Sequence, residues 1–156
     1  MRAPGLPERT IARGDPYQWQ VERSAAAIVD ALGINGLDWQ VCYQSRVGPL
    51  KWIGPATDAE IRRAGGDGKG VIVAPIAFVS EHSETLVELD IEYAHVAKAA
   101  GVPDYLRVPT AGTRSAFVEG LADLVERGAV TCGTASGADG RICPLNFRTC
   151  PMEAPR

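Results

Sequence analysis

Apolar positions at Val21, Ala25, Ile28, Val29 and Leu32 recur at helical spacing and predict an amphipathic helix from Tyr17 to Leu32, which Gly33 ends. Trp39 to Tyr43 reads as a strand. It leads into polar Gln44-Ser45-Arg46 and the breakers Gly48 and Pro49, which suits a strand ending in a functional loop. Thr57-Asp58-Ala59-Glu60 has the form of a capping box opening a short helix, stopped at Gly65-Gly66. Gly70 to Val79 is continuously apolar, the character of a strand covered on both faces of a parallel sheet. A helix is expected from Ser83 to Ala100 with Gly101 as its cap, then a short strand from Tyr105 to Val108. Phe117, Leu121, Leu124 and Val125 mark a last helix that stops at Gly128.

This β/α alternation predicts a doubly wound parallel sheet, a Rossmann-type half, spanning residues 1–128 as one domain. Ligands of such sheets sit beyond the carboxyl ends of the strands. The loop from Tyr43 to Trp52 and the turn from Phe78 to Glu88 both leave strands at that edge, so they are expected to converge on one pocket.

The helix after Val79 carries the candidate chemistry. At about 100° per residue, Glu81, Glu84, Glu88 and Glu92 share one narrow arc, while Leu86, Leu89, Tyr93 and Val96 lie opposite. Like charges at i,i+4 cost a few tenths of a kcal/mol per pair, so an acidic stripe without interleaved Lys or Arg invites a cationic partner or shared protons. A solvent-facing helix with idle acids fits the same stripe.

Composition sets limits on this picture. At 156 residues, 46% hydrophobic and 22% charged, the chain can bury one core. A net charge of -3 without a basic cluster argues against a nucleic-acid partner. No run of about 18 apolar residues occurs, and Met1 to Gly5 lacks the apolar core of a signal peptide. A cytoplasmic protein is expected, with membrane association peripheral at most.

Residues 129–156 are Gly-, Ser- and Pro-rich and cannot build a core. Cys132, Cys143 and Cys150 fall there, and clustered thiols in a cytosolic chain suggest a metal before a disulfide. Zinc is one candidate, although the spacing lacks the paired C-x-x-C of most structural zinc sites. Cys42, in a strand, reads instead as a small buried apolar residue.

Gly5-Leu6-Pro7-Glu8-Arg9 with Gly14-Asp15-Pro16-Tyr17, then Tyr43 to Pro49, then Phe78 to Glu88, resemble in order and spacing the C-terminal half of ferrochelatase, which inserts ferrous iron into protoporphyrin IX. The resemblance covers Gly5 to about Gly128. It implies that Glu84 is the catalytic carboxylate and a ligand of the substrate iron, with His82, Glu88 and Glu81 in the same polar chain. Trp52 and Phe78 would be apolar walls for protoporphyrin IX, and Tyr43, Ser45 and Arg46 would also line its site. His82 equally suits an ordinary helix-terminal hydrogen bond, Phe78 plain core, and Arg46 a propionate or a capped carbonyl. Related chelatases use similar sets for cobalt or nickel; the Tyr43 to Trp52 block and the tail favour iron.

Some ferrochelatases carry a C-terminal 2Fe-2S cluster, and the tail resembles that extension, with Cys132, Cys143 and Cys150 as ligands and a fourth from outside this chain. In the family the Gly-Leu-Pro block follows a histidine of the porphyrin pocket, and Pro4 takes that place here. The family's N-terminal domain, the other wall of the cleft, would lie before Met1. The expectation is therefore a fragment, a split subunit or a degenerate paralogue, inactive without its N-terminal half. The alternative is a non-catalytic metal- or haem-binding domain.

Overall fold

The computed structural model describes residues 1–44, 48–131, 133, 136–138 and 140–152. In chain order the elements are β1 (Arg2–Pro4), α1 (Glu8–Ala12), α2 (Tyr17–Leu32), β2 (Cys42–Gln44), α3 (Thr57–Gly66), β3 (Val71–Val73), α4 (Ser83–Val87), a π-helical turn (Glu88–Glu92), α5 (Tyr93–Ala99), β4 (Tyr105–Arg107) and α6 (Ser115–Ala129).

The strands form two short parallel pairs, β1 with β2 and β3 with β4, in registers that set Ala3 opposite Tyr43 and Ile72 opposite Leu106. Backbone bonds continue the pairing between them. The Arg2 N–H donates to the Ala74 carbonyl at 2.9 Å, and the Ile76 N–H donates to the Arg2 carbonyl at 3.1 Å. The strands therefore lie in the order β2, β1, β3, β4, and Arg2 sits in the middle of the array.

Side chains alternate across a strand, so the two faces of β1 and β2 have different neighbours. Ala3 and Tyr43 pack with Val21 and Ala25 of α2, and with Val41 and Ile53, in the main apolar cluster. Arg2 and Gln44 point to the opposite side, toward α4 and the π turn, and Cys42 meets Thr57 of α3 there. Helix α3 packs against α5 on that side, closely enough that a Cβ on Gly65 would stand 2.2 Å from the Ala100 carbonyl oxygen. Among the described residues, no helix is long and apolar enough to cross a membrane.

Helix α2 has the predicted bounds, and Gly33 ends it in the left-handed conformation at φ 62°. Other expectations are corrected. The Thr57 capping box is not made: Ala56 is the N-cap, without a side-chain bond, and Thr57 is buried inside the first turn. The apolar run from Gly70 gives only a three-residue strand, because Pro75 cannot donate to a ladder and the chain turns away. That strand is covered on one face only among the described residues, since Ile72 is 67% exposed and its partner Leu106 60%. The helix expected from Ser83 to Ala100 is interrupted by the π turn at Glu88–Glu92, whose Leu89 carbonyl accepts from the Tyr105 hydroxyl at 2.8 Å. Strand β1 and helix α1 carry no periodic pattern and are additions to the sequence reading.

Within residues 130–152, the described part of the tail has neither helix nor strand, yet it is well tied. The Arg141 guanidinium donates to the carbonyls of Cys143 at 3.0 Å, Pro144 at 2.8 Å, Phe147 at 2.8 Å and Met152 at 3.3 Å. The Thr149 hydroxyl donates to the Gly14 carbonyl at 3.0 Å, and the Phe147 ring lies 6.1 Å from that of Trp19. A cation gathering carbonyls takes the place of the missing core.

Candidate functional site

Strand β2 ends at Gln44, which is fully buried, and its side-chain amide donates to Glu84 Oε2 at 3.1 Å. Helix α4 starts just above this edge of the sheet, so Glu84 lies half-buried over the carboxyl ends of β1 and β2. The neighbouring Gln44 carbonyl accepts the Gly5 N–H at 2.9 Å. Gly5 in turn abuts Trp52: a Cβ there would lie 2.8 Å from the Gln44 oxygen and 3.4 Å from the indole. Through Gln44 and Gly5, the Glu84 carboxylate and the Trp52 ring belong to one rim.

Arg2 reaches the same rim from β1. Its Nη2 donates to the Glu84 carbonyl at 3.2 Å and to Glu88 Oε2 at 3.4 Å. Its Cζ stands 5.3 Å from the centroid of the Phe78 ring, a cation–π contact. On Phe78, the His82 ring stacks at 5.4 Å with an interplanar angle of 13°. Burial pushes the Arg2 pKa down, opposed by the charge of Glu88. Tyr43, buried on the α2 face, has its hydroxyl pKa raised by desolvation.

His82 caps α4. Its backbone N–H donates to Thr85 Oγ1 at 2.7 Å, and its Nδ1 accepts the Glu84 N–H at 3.3 Å. That second bond leaves the ring proton of a neutral His82 on Nε2. The helix-terminal hydrogen bond that the sequence allowed for His82 is thus made.

Glu81 stands apart from this group. Its carboxylate accepts from Arg107 Nη1 at 3.0 and 3.1 Å, from the Thr110 N–H at 3.1 Å and from Thr85 Oγ1 at 3.2 Å. The Thr110 bond, with Arg107 beside it, holds the Glu81 carboxyl below its ordinary pKa. Arg107 also grips Asp90 at 2.5 and 2.9 Å. Two members of the acidic stripe therefore meet cations inside the chain, Glu88 from Arg2 and Glu81 from Arg107.

This arrangement corrects the expected split into an acidic and an apolar face. Thr85 and Leu89 are the buried positions, Glu84 and Glu88 flank them half-buried, and Leu86 is 44% exposed. The sheet face beneath α4 is polar at Arg2 and Gln44, so carboxylates turn toward it. Arg2 and Arg107 escape the sequence reading, and Gln44 enters it only as part of the loop, since only pairing of distant strands brings them to the helix.

Ser45, Arg46 and Cys132 lie outside the described residues. Cys143 is buried and Cys150 half-buried, and both are free thiols that share a hydrogen bond. Desolvation raises the Cys143 pKa, whereas the Met152 N–H at the Cys150 sulfur lowers that of Cys150. Among the described residues no group of His, Cys, Asp and Glu is arranged to enclose a metal ion. A cavity of about 730 Å³ lies between the end of α6 and the tail, lined by Leu124, Arg127, Val130, Ser136 and Met152 among others.

Short parallel strands flanked by helices, with carboxylates, an imidazole and aromatic rings gathered near the end of β2, define an α/β domain. The chain matches the Ferrochelatase family model over residues 1–129 and belongs to that family. It is 57% identical over 152 residues to the ferrochelatase of Caulobacter vibrioides, 51% over 150 to that of Pelagibacter ubique and 46% over 151 to that of Rickettsia conorii. These stretches are 97%, 96% and 95% of this chain and 44% of each relative, so the chain spans under half the length of the relatives it matches. The Caulobacter match takes in most of the tail beyond residue 129, where the family model stops.

Proposed function

We propose that this chain is the C-terminal part of a ferrochelatase, supplying one side of a cleft in which ferrous iron enters protoporphyrin IX. The observation that carries the reading is the Glu84 carboxylate, anchored by Gln44 on the rim that also holds Trp52, Phe78 and His82. The order β2, β1, β3, β4, with α2 on one face and α3 and α5 on the other, supports a doubly wound sheet whose ligand edge is this rim.

Insertion replaces two pyrrole protons by one ferrous ion, so the site must accept protons while the ring nitrogens are exposed. Glu84 is the acceptor proposed here, with His82 and Glu88 in the same polar chain. Carboxylate and imidazole also suit transient ferrous ligation, since they lack the grip of thiolates. Trp52 and Phe78 offer the flat apolar surface a macrocycle needs. Ser45 and Arg46 are proposed for the same wall, whereas Tyr43, proposed with them from the sequence, lies buried in the core on the α2 face.

The tail is proposed to hold a 2Fe-2S cluster through Cys132, Cys143, Cys150 and a ligand from outside this chain. Cys143 and Cys150 suit adjacent ligand positions, because their thiols already meet and a backbone N–H reaches one sulfur. When bound, such a cluster crosslinks the tail to the rest of the enzyme.

A second reading, a non-catalytic metal- or haem-binding domain, draws support from Pro4 at the family's histidine position and from the buried Arg2 beside the acids. Zinc insertion into protoporphyrin, followed by fluorescence, separates the two. Turnover is expected when residues 1–156, carrying Pro4→His, are joined to the N-terminal half of a relative, with none from the chain alone. Haem or porphyrin binding without turnover in the joined protein supports the second reading.

A further inference from the structure

Cys143 and Cys150 are free thiols that share a hydrogen bond, so their sulfur atoms lie within hydrogen-bonding reach of each other. The loop between them is built to keep them there. Consecutive turns fold it, the Phe147 N–H donating to the Pro144 carbonyl at 3.1 Å and the Cys150 N–H to the Phe147 carbonyl at 3.3 Å. Arg141 holds both ends at once, donating to the Cys143 carbonyl at 3.0 Å and to the Met152 carbonyl, just past Cys150, at 3.3 Å. The loop is also seated on the segment before α2. Thr149 donates to the Gly14 carbonyl at 3.0 Å through its hydroxyl and at 3.4 Å through its N–H. A Cβ on Gly14 would stand 2.8 Å from the Arg148 nitrogen, so glycine is what lets the loop lie this close.

We propose that Cys143 and Cys150 form a thiol–disulfide site, oxidised by small-molecule disulfides of the glutathione kind to an intramolecular disulfide that closes the loop between them. Cys143 is buried and Cys150 half-buried, so Cys150 is the sulfur that the reagent meets first. The Cys150 sulfur gives up its proton and attacks one sulfur of glutathione disulfide, whose S–S bond breaks and releases one glutathione thiolate. Cys143 then gives up its proton and attacks the Cys150 sulfur, expelling the second glutathione thiolate. Two cysteine thiols lose two electrons, one glutathione disulfide gains them, and both protons end on glutathione.

The fold favours this exchange. Bringing two thiols together costs entropy in a loose chain, whereas here the turns, Arg141 and Gly14 have already fixed the loop, which raises the effective concentration of one thiol at the other. The site goes beyond the proposed function. It bears on the proposed cluster only in that the same two sulfurs cannot serve both, so the disulfide belongs to the tail without metal and keeps the loop closed on Gly14 in that state.

The test uses the full chain, freed of metal by a chelator and equilibrated without oxygen at graded ratios of reduced to oxidised glutathione. Acid quenching and mass spectrometry then map the products. The expected product is a peptide pair joining Cys143 to Cys150, with an effective thiol concentration about ten-fold or more above that of the same chain in concentrated urea. Cys143→Ser is expected to collect a glutathione adduct on Cys150 faster than Cys150→Ser collects one on Cys143. An effective concentration no higher in the folded chain than in urea, or preferential joining of either cysteine to Cys132, overturns the proposal, and neither reading needs a variant that folds. Equal adduct rates in the two variants overturn the order of attack. The cluster fails by a different readout: a reduced joined protein that gains no iron–sulfur absorption from ferrous iron and sulfide refutes it and leaves the disulfide untouched.

Discussion

The Gln44 amide donates to the Glu84 carboxylate at 3.1 Å from a position 40 residues earlier in the chain. One is the last residue of β2 and the other lies in the first turn of α4, so a strand end aims a helix side chain. A carboxylate held this way cannot swing out to solvent without breaking a bond to a fully buried partner.

Gln44→Ala removes that hold without touching the carboxylate. In the joined protein, zinc insertion is expected to fall by about ten-fold, mainly in kcat, because the outer partner orients the working group. Stability should drop by about 1–2 kcal/mol in urea unfolding. An unchanged kcat with the same stability loss would reduce Gln44 to a packing residue.

The Glu81–Arg107–Asp90 network should show itself in acid. Glu81 has a folded-state pKa below its ordinary 4.5, so its contribution to stability is complete above that value and is lost as pH falls through the folded one. Thermal unfolding followed from pH 6 to pH 3, about the window in which carboxylates titrate, is expected to show this loss, and Glu81→Gln should flatten part of it. Arg107→Ala should weaken the whole range, because Asp90 loses its partner as well.

Arg141→Ala takes away the donor that gathers the carbonyls of Cys143, Pro144, Phe147 and Met152. Faster hydrogen exchange and proteolysis confined to residues beyond 130 are expected, with the α2 amides unaffected. Loss of protection throughout the chain would mean that the tail supports the fold instead of merely docking on it.

Tyr105→Phe tests the π turn. The Tyr105 hydroxyl, its pKa pushed up to about 12 chiefly by burial, donates to the Leu89 carbonyl. Its removal should cost about 1 kcal/mol and speed exchange of the amides in Glu88–Glu92. Unaltered exchange there would show that the turn is set by packing alone.

Much of the fold is legible in the chain because local pattern decides it. Helix α2 follows from its period and from Gly33, and the later strands and helices fall near their apolar runs. The site is legible in position but not in orientation. Glu84 and Glu88 read as an acidic face open to a partner or to solvent, yet they turn toward the sheet because Arg2, 82 residues from Glu84, makes that face polar. The π turn is invisible to a 3.6-residue period, which assumes an unbroken helix. His82 shows the reverse case: capping and chemistry both fit its sequence position, and the structure displays the cap.

The account stands most directly on the Glu84 side chain. Zinc insertion by the joined protein, compared with its Glu84→Gln variant of matched thermal stability, is expected to fall by about a hundred-fold or more, since a proton acceptor is removed while shape and hydrogen bonding are kept. A Glu84→Gln protein that inserts zinc within about three-fold of the parent would contradict it, because losing a working general base costs far more than that.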